Sequence, residues 1–178
     1  MYLYTNSKKV SETVNDMADE WEGGYQAPRG IAIQWRKANA VHKWFVDNVQ
    51  DGNDDCGSYV VTVDDLVKLH DVCQEVLDNS KLIDGDVTNG YTFEDGEKVP
   101  IVEKGQYIED PSVAKELLPT TGGFFFGSTE YDQWYWWDIQ FTERKLAVLL
   151  DCLEPKELRV VHKDEPDWFV EFRYTSSW

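Results

Sequence analysis

The stretch QWRKANAVHKWFVDN, residues 34–48, constrains this chain more than any other. It sets cations, amides, a histidine and large aromatics in about four helical turns, with neither Pro nor Gly to interrupt them. At about 100° per residue, Ile31, Trp35, Ala38, His42, Phe45, Val46 and Val49 fall on one stripe, and Arg36, Lys37, Lys43 and Asp47 fall off it. The spacing predicts a helix from about residue 30 to about residue 50 that packs its apolar face inward. His42 lies within that face. An unpaired polar group in a core costs roughly 1–3 kcal/mol, so His42 requires a hydrogen-bond partner on another element.

A second stretch, PTTGGFFFGSTEYDQWYWWD at residues 119–138, brackets three consecutive phenylalanines with glycines and leads into a helix that the pattern carries to about residue 153. Ser128 or Thr129 is its expected N-cap. Tyr131, Tyr135, Leu146, Leu149 and Leu153 form the expected inner stripe, with Trp134, Phe141 and Cys152 at the flanks and Asp138 inside it. Trp136 points away and Trp137 lies at the margin, so these are the expected exposed aromatics. Two helices thus each carry one titratable group on an apolar face. The expectation is a buried polar pair of His42 and Asp138, joined directly or through Arg36 or Asn39. A glycine-rich loop before a helix N-terminus can also hold an anion, because free N–H groups and the helix dipole point there. The stretch lacks the lysine and spacing of a P-loop, and buried phenylalanines at the start of a helix explain it as well.

The remaining chain reads as shorter elements. A weak helix over residues 11–22 would turn Val14, Met17, Ala18 and Trp21 to one side. The turn-rich DGNDDCG at 51–57 is no EF-hand, since the twelfth residue from Asp51 is Thr62 where that loop needs Glu. Residues 59–63 read as a strand, and Thr62 with Asp65 forms a capping box that opens a helix ending at Asn79. Gly85, Asn89-Gly90, Gly96, Pro100 and Gly105 punctuate residues 80–110 as breaks around β-like pieces at 91–94 and 98–102. Asp95-Gly96 suits a hairpin turn between the two pieces, which makes 80–110 a peripheral β-hairpin insertion. Residues 111–118 give a short helix. Residues 158–163 and the alternation of Trp168, Val170, Phe172 and Tyr174 give a C-terminal β-hairpin. The fold class expected is α+β: a mainly helical single domain spanning residues 1–178, with short strands.

Lys and Arg number 17 against 34 Asp and Glu, a formal charge of −17, which argues against direct binding of nucleic acid. Three widely separated cysteines, Cys56, Cys73 and Cys152, lack zinc-site spacing and are expected to be free and mostly buried. No window has the length of a membrane span, and MYLYTNSKKV lacks the apolar core of a signal peptide. Eight Trp, nine Tyr and eight Phe, several in runs, are too dense for one buried face to absorb, so some should be exposed.

The WRKAN run at 35–39 continues into His42, Trp44 and Phe45. With Asp54 to Cys56, the GFFFGS run at 123–128 followed by Tyr131 and Asp132, and the aromatic ending at 169–178, it resembles a family of small uncharacterised tailed-phage proteins over about two thirds of the chain. The resemblance implies phage origin and a soluble accessory protein of the host cytoplasm that counteracts host defence. Binding is the expected mode, either capture of a nucleotide-type small molecule or blocking of a host defence protein. For a nucleotide, Arg36, Lys37, Asn39 and Lys43 with Gly127 and Ser128 would hold phosphate, and Trp134 or Trp137 would stack on the base. One alternative is an acidic nucleic-acid mimic that inhibits a basic host protein. Another is a small hydrolase using His42, oriented by Asp138 or Asp55, with Cys56 as nucleophile; Asp-Asp-Cys beside a turn matches no recognised nucleophile site. No cofactor, no metal and no catalytic residue are expected, and a homo-oligomer is left open.

Overall fold

Four short strands, each with an apolar residue at every second position, close one side of the core. β1 (Tyr2–Thr5), β2 (Ile31–Gln34), β3 (Ser58–Val61) and β6 (Phe172–Thr175) pair antiparallel in the order β2-β1-β6-β3. Leu3 and Tyr59 flank Tyr174, and Thr5 and Val61 flank Phe172, so one face of the sheet is apolar and turned inward. Tyr4 and Val60, on either side of Arg173, face outward and are exposed. The computed structural model describes residues 1–16, 30–123, 127–153 and 170–177.

The helices α1 (Lys8–Asn15), α2 (Asn39–Asn48), α3 (Val63–Asp78) and α5 (Gln133–Asp151) supply the rest of the core. α3 packs along α5, and α1 lies between β2 and α5. Phe45 from α2 stacks on Tyr174 from β6 with ring centroids 3.9 Å apart and planes 10° from parallel. The described residues therefore adopt an α+β architecture.

The expected helix over 30–50 is corrected in its first third, which is strand β2. Ile31 and Ile33 are β-branched and pair with β1, and that pairing outweighs the helical period of the stripe. Lys37 then takes a positive φ of 64°, which turns the chain before α2 begins at Asn39. The stripe still marks burial: Ile31, Trp35, Ala38, His42 and Phe45 are all buried, while Val46 and Val49 are partly so.

α3 is capped as its residues dictate. Thr62 Oγ1 accepts from Asp65 N at 3.1 Å and Asp65 Oδ2 accepts from Thr62 N at 3.0 Å. The expected cap of the long helix is corrected from Ser128 or Thr129 to Asp132, whose Oδ1 accepts from Trp134 N at 3.0 Å and Tyr135 N at 3.2 Å. A carboxylate at this position also suits the helix dipole. Ser128 instead closes a small turn, its Oγ accepting from Glu130 N.

The hairpin is longer than expected: β4 (Leu82–Glu94) and β5 (Glu97–Ile108) run together from the body to the Asp95-Gly96 turn. Gly85 and Gly105 are not strand breaks, for they face each other across the ladder. A Cβ on Gly85 would collide with the Tyr107 ring, and one on Gly105 with Val87 and Gln133. Asn89-Gly90 likewise produces no break but a bulge between Thr88 and Tyr91. Pro111 precedes the short α4 (Ser112–Leu117). The helix expected over 11–22 begins earlier, at Lys8; its residues 17–22, like the first arm of the C-terminal hairpin at 158–163, lie outside the described residues. Of the cysteines, Cys73 is buried, Cys152 partly so, and Cys56 is exposed.

Candidate functional site

Several irregular segments converge beside the first turns of α5: the β2–α2 connection, the N-terminus of α2, the loop before α5, and the bulged part of the hairpin. They line an open cavity of about 1290 Å³, larger than the roughly 300–1,000 Å³ of a common small-molecule site. Arg36 and Lys37 stand exposed at its rim. Neither has an ion-pair partner among the described residues. Ala38, the residue preceding α2, gives no side-chain cap, so the first N–H groups of α2 are not capped by a side chain. From the hairpin comes Lys98, whose Nζ sits 3.8 Å from the Tyr91 ring centroid.

The far wall is a single helical stripe. Trp134, Trp137, Asp138 and Phe141 are spaced i, i+3, i+4, i+7 on α5 and all line the cavity. An adjacent stripe, Tyr135, Ile139, Leu146 and Leu149, is buried in the core, with Tyr135 also reaching the cavity. Thr142 joins the two: its hydroxyl accepts from Trp35 Nε1 at 2.9 Å and donates to the Asp138 carbonyl at 2.7 Å. The expected exposed aromatics are corrected accordingly. Trp136 is partly buried against the core and Trp137 is half-covered in the cavity wall. The exposed large apolar side chains stand mainly on the hairpin, with Phe93 73% exposed.

Of the residues expected to hold a ligand, Arg36, Lys37, Asn39, Gly127, Ser128, Trp134 and Trp137 come together around this cavity. Lys43 does not; it points along α2 to Asp47 at 2.7 Å. Asn39 is engaged in the frame. Its Nδ2 donates to Ser128 O at 2.8 Å and its Oδ1 accepts from Thr121 N at 3.1 Å, which pins the loop to the start of α2.

Two carboxylates sit deeper. Asp132 is only 2% exposed, and its Oδ2 has no hydrogen-bond partner among the described residues. Burial raises its carboxyl above the ordinary range, against the pull of the Tyr135 and Trp134 N–H groups. Asp138 accepts no hydrogen bond from any described residue. Burial, and then the charge of Asp132, push its carboxyl up to about 7.

The expected pair of His42 and Asp138 is corrected. His42, 1% exposed, has Nδ1 2.8 Å from the Tyr174 hydroxyl and Nε2 3.1 Å from Asp54 Oδ2. The β6 strand brings Tyr174 over the α2 face, so the histidine is satisfied from the sheet and not from α5. Asp55 is occupied by Gly57 N and the Tyr59 hydroxyl. Among the described residues no group of three or more His, Cys, Asp or Glu is placed to hold a metal ion. Nor is any helix long and apolar enough to cross a membrane.

Sequence reasoning missed Lys98, Tyr91, Asp132 and Phe141. The i, i+3, i+4, i+7 spacing on α5 carried a signal for Phe141; nothing local announced that the hairpin reaches the same cavity. No family model, curated protein or solved structure matches the chain.

Proposed function

We propose that the protein is a phage accessory protein of the host cytoplasm that works by binding, capturing a nucleotide-type signal and so counteracting host defence. The observation that carries this reading is the cavity, where Arg36, Lys37 and the N-terminus of α2 lie opposite the indoles of Trp134 and Trp137. Cations and free N–H groups suit phosphate, and a flat indole suits a base. The phage setting rests on the sequence resemblance alone.

A second reading, the blocking of a defence protein, draws on the exposed Phe93, Val102 and Ile101 of the hairpin. The acidic-mimic reading draws only on the net charge of −17. The hydrolase reading is disfavoured, because His42 is buried against Tyr174 and Asp54 and does not line the cavity.

Titration calorimetry against mononucleotides, cyclic nucleotides and ADP-ribose-type nucleotides tests the first reading. Arg36→Ala with Lys37→Ala should weaken binding at least about tenfold, and Trp137→Ala should remove the roughly 1–3 kcal/mol of one stacked base. If no nucleotide binds while a Phe93→Asp variant loses a captured host protein, the second reading replaces the first.

A further inference from the structure

A nucleotide held by its phosphate at the rim and by stacking on α5 turns the edge of its base toward whatever polar groups lie beside the indoles. Here those groups are acceptors. Asp138 stands one turn from Trp134 and one from Phe141 on the cavity face of α5, next to Trp137, and Asp132 lies at the start of the same helix. An ionised carboxylate has acceptors only, two oxygens side by side. Asp132 keeps one buried oxygen without a partner among the described residues. Asp138 is half-buried in the cavity wall, and no described residue donates a hydrogen bond to its carboxylate. Acceptors withdrawn from water in this way are satisfied by donors from a ligand.

Building on the nucleotide reading, we propose that Asp138 selects the base: its carboxylate accepts from the ring N1–H and the 2-amino group of a guanine-type base stacked on the α5 tryptophans. The ligand class is then a guanine nucleotide. Guanine alone among the common bases offers two adjacent donors on one edge. Adenine and cytosine each place an acceptor next to their amino group, and uracil flanks its single N–H with carbonyls. A metal ion is the weaker occupant, since two carboxylates here find no third protein ligand among the described residues. A simple organic cation is disfavoured by Arg36, Lys37 and Lys98 on the same cavity.

Titration calorimetry of the full chain at about pH 8 with guanosine, inosine and adenosine 5′-monophosphates decides the matter. Guanosine monophosphate should bind at least about thirty-fold more tightly than the adenosine compound, with inosine, which lacks the 2-amino group, in between. Asp138→Asn, offering one donor and one acceptor, should shrink the guanine-to-adenine ratio to about threefold or less while phosphate-dependent binding persists. Should that variant fail to fold, the three-ligand series on the native protein decides alone. Equal binding of all three overturns base selection by Asp138 and leaves the nucleotide reading standing. Binding of none removes the nucleotide reading, and this inference with it.

Discussion

Among the described residues, the polar centre at His42 and the pair of carboxylates on α5 differ in one respect. His42 is nearly inaccessible, and both of its ring nitrogens lie within 3.1 Å of a partner from another element. Asp132 and Asp138, on the cavity side of α5, retain oxygens that no described residue satisfies. The first arrangement is architecture: polar groups brought together so that burying them is cheap. The second is the kind a fold tolerates only where something else supplies the missing hydrogen bonds.

The largest effect that would sharpen this contrast comes from His42→Ala. Removing the imidazole strands the Tyr174 hydroxyl and opens a cavity beside Phe45, and should cost about 3 kcal/mol in urea unfolding, with nucleotide affinity unchanged. Its combination with Asp138→Ala should be additive to within about 0.5 kcal/mol. A larger coupling would show that the two centres are one.

Asp138→Asn should act in the opposite direction. The carboxyl stands near 3.8 in the unfolded chain and is pushed up to about 7 in the folded one, so the folded state holds more protons between those values. Native stability attributable to this group is therefore whole below about pH 4 and is lost as the pH rises through 7. The asparagine variant escapes that loss. Thermal melts should show it more stable than the native protein at about pH 8, by on the order of 2 kcal/mol after the cost of burying the amide, with no gain at about pH 4.

Ligand affinity should follow the same group in reverse. Guanine requires the ionised carboxylate, so binding should weaken up to about tenfold per unit as the pH falls below 7. Other charged and titratable groups lining the cavity are Asp132, Glu130, Tyr135, Arg36, Lys37, Lys98 and Tyr91. Burial raises the Asp132 carboxyl and the Tyr135 hydroxyl above their ordinary values. A flat pH profile from calorimetry would break the assignment.

The smallest effect belongs to Lys43→Ala. Its ion pair with Asp47 lies at the surface, and its loss should change stability by less than about 0.5 kcal/mol and leave ligand binding untouched.

Features written in a few adjacent residues were legible in the sequence. The Thr62/Asp65 box starts α3, and Asp95-Gly96, with φ of 50° and 85°, makes the hairpin turn. What failed to show were choices settled by distant partners. Ile31 to Gln34 fit a helical stripe, yet β1 offered them a ladder. Gly85 and Gly105 read as breaks because their reason is a Tyr107 ring and a Gln133 side chain elsewhere in the chain. The candidate site divides likewise: its cations, loop glycine and tryptophans were visible as residue types, whereas the partner of His42 depended on which strand crosses α2.

The bulge in the hairpin carries one more consequence, and it is a matter of counting. β4 has 13 residues and β5 has 12. Thr88 pairs with Val102 and Tyr91 with Pro100, so three steps along one strand match two along the other. Odd spacing would ordinarily send Thr88 and Tyr91 to opposite faces; the surplus residue restores their parity, and both line the cavity with Lys98. The extra residue also deepens the local twist, curling the distal arm. Shortening β4 by deleting Gly90 would keep every pairing and straighten the ribbon, drawing Tyr91 and Lys98 away from the cleft that they line.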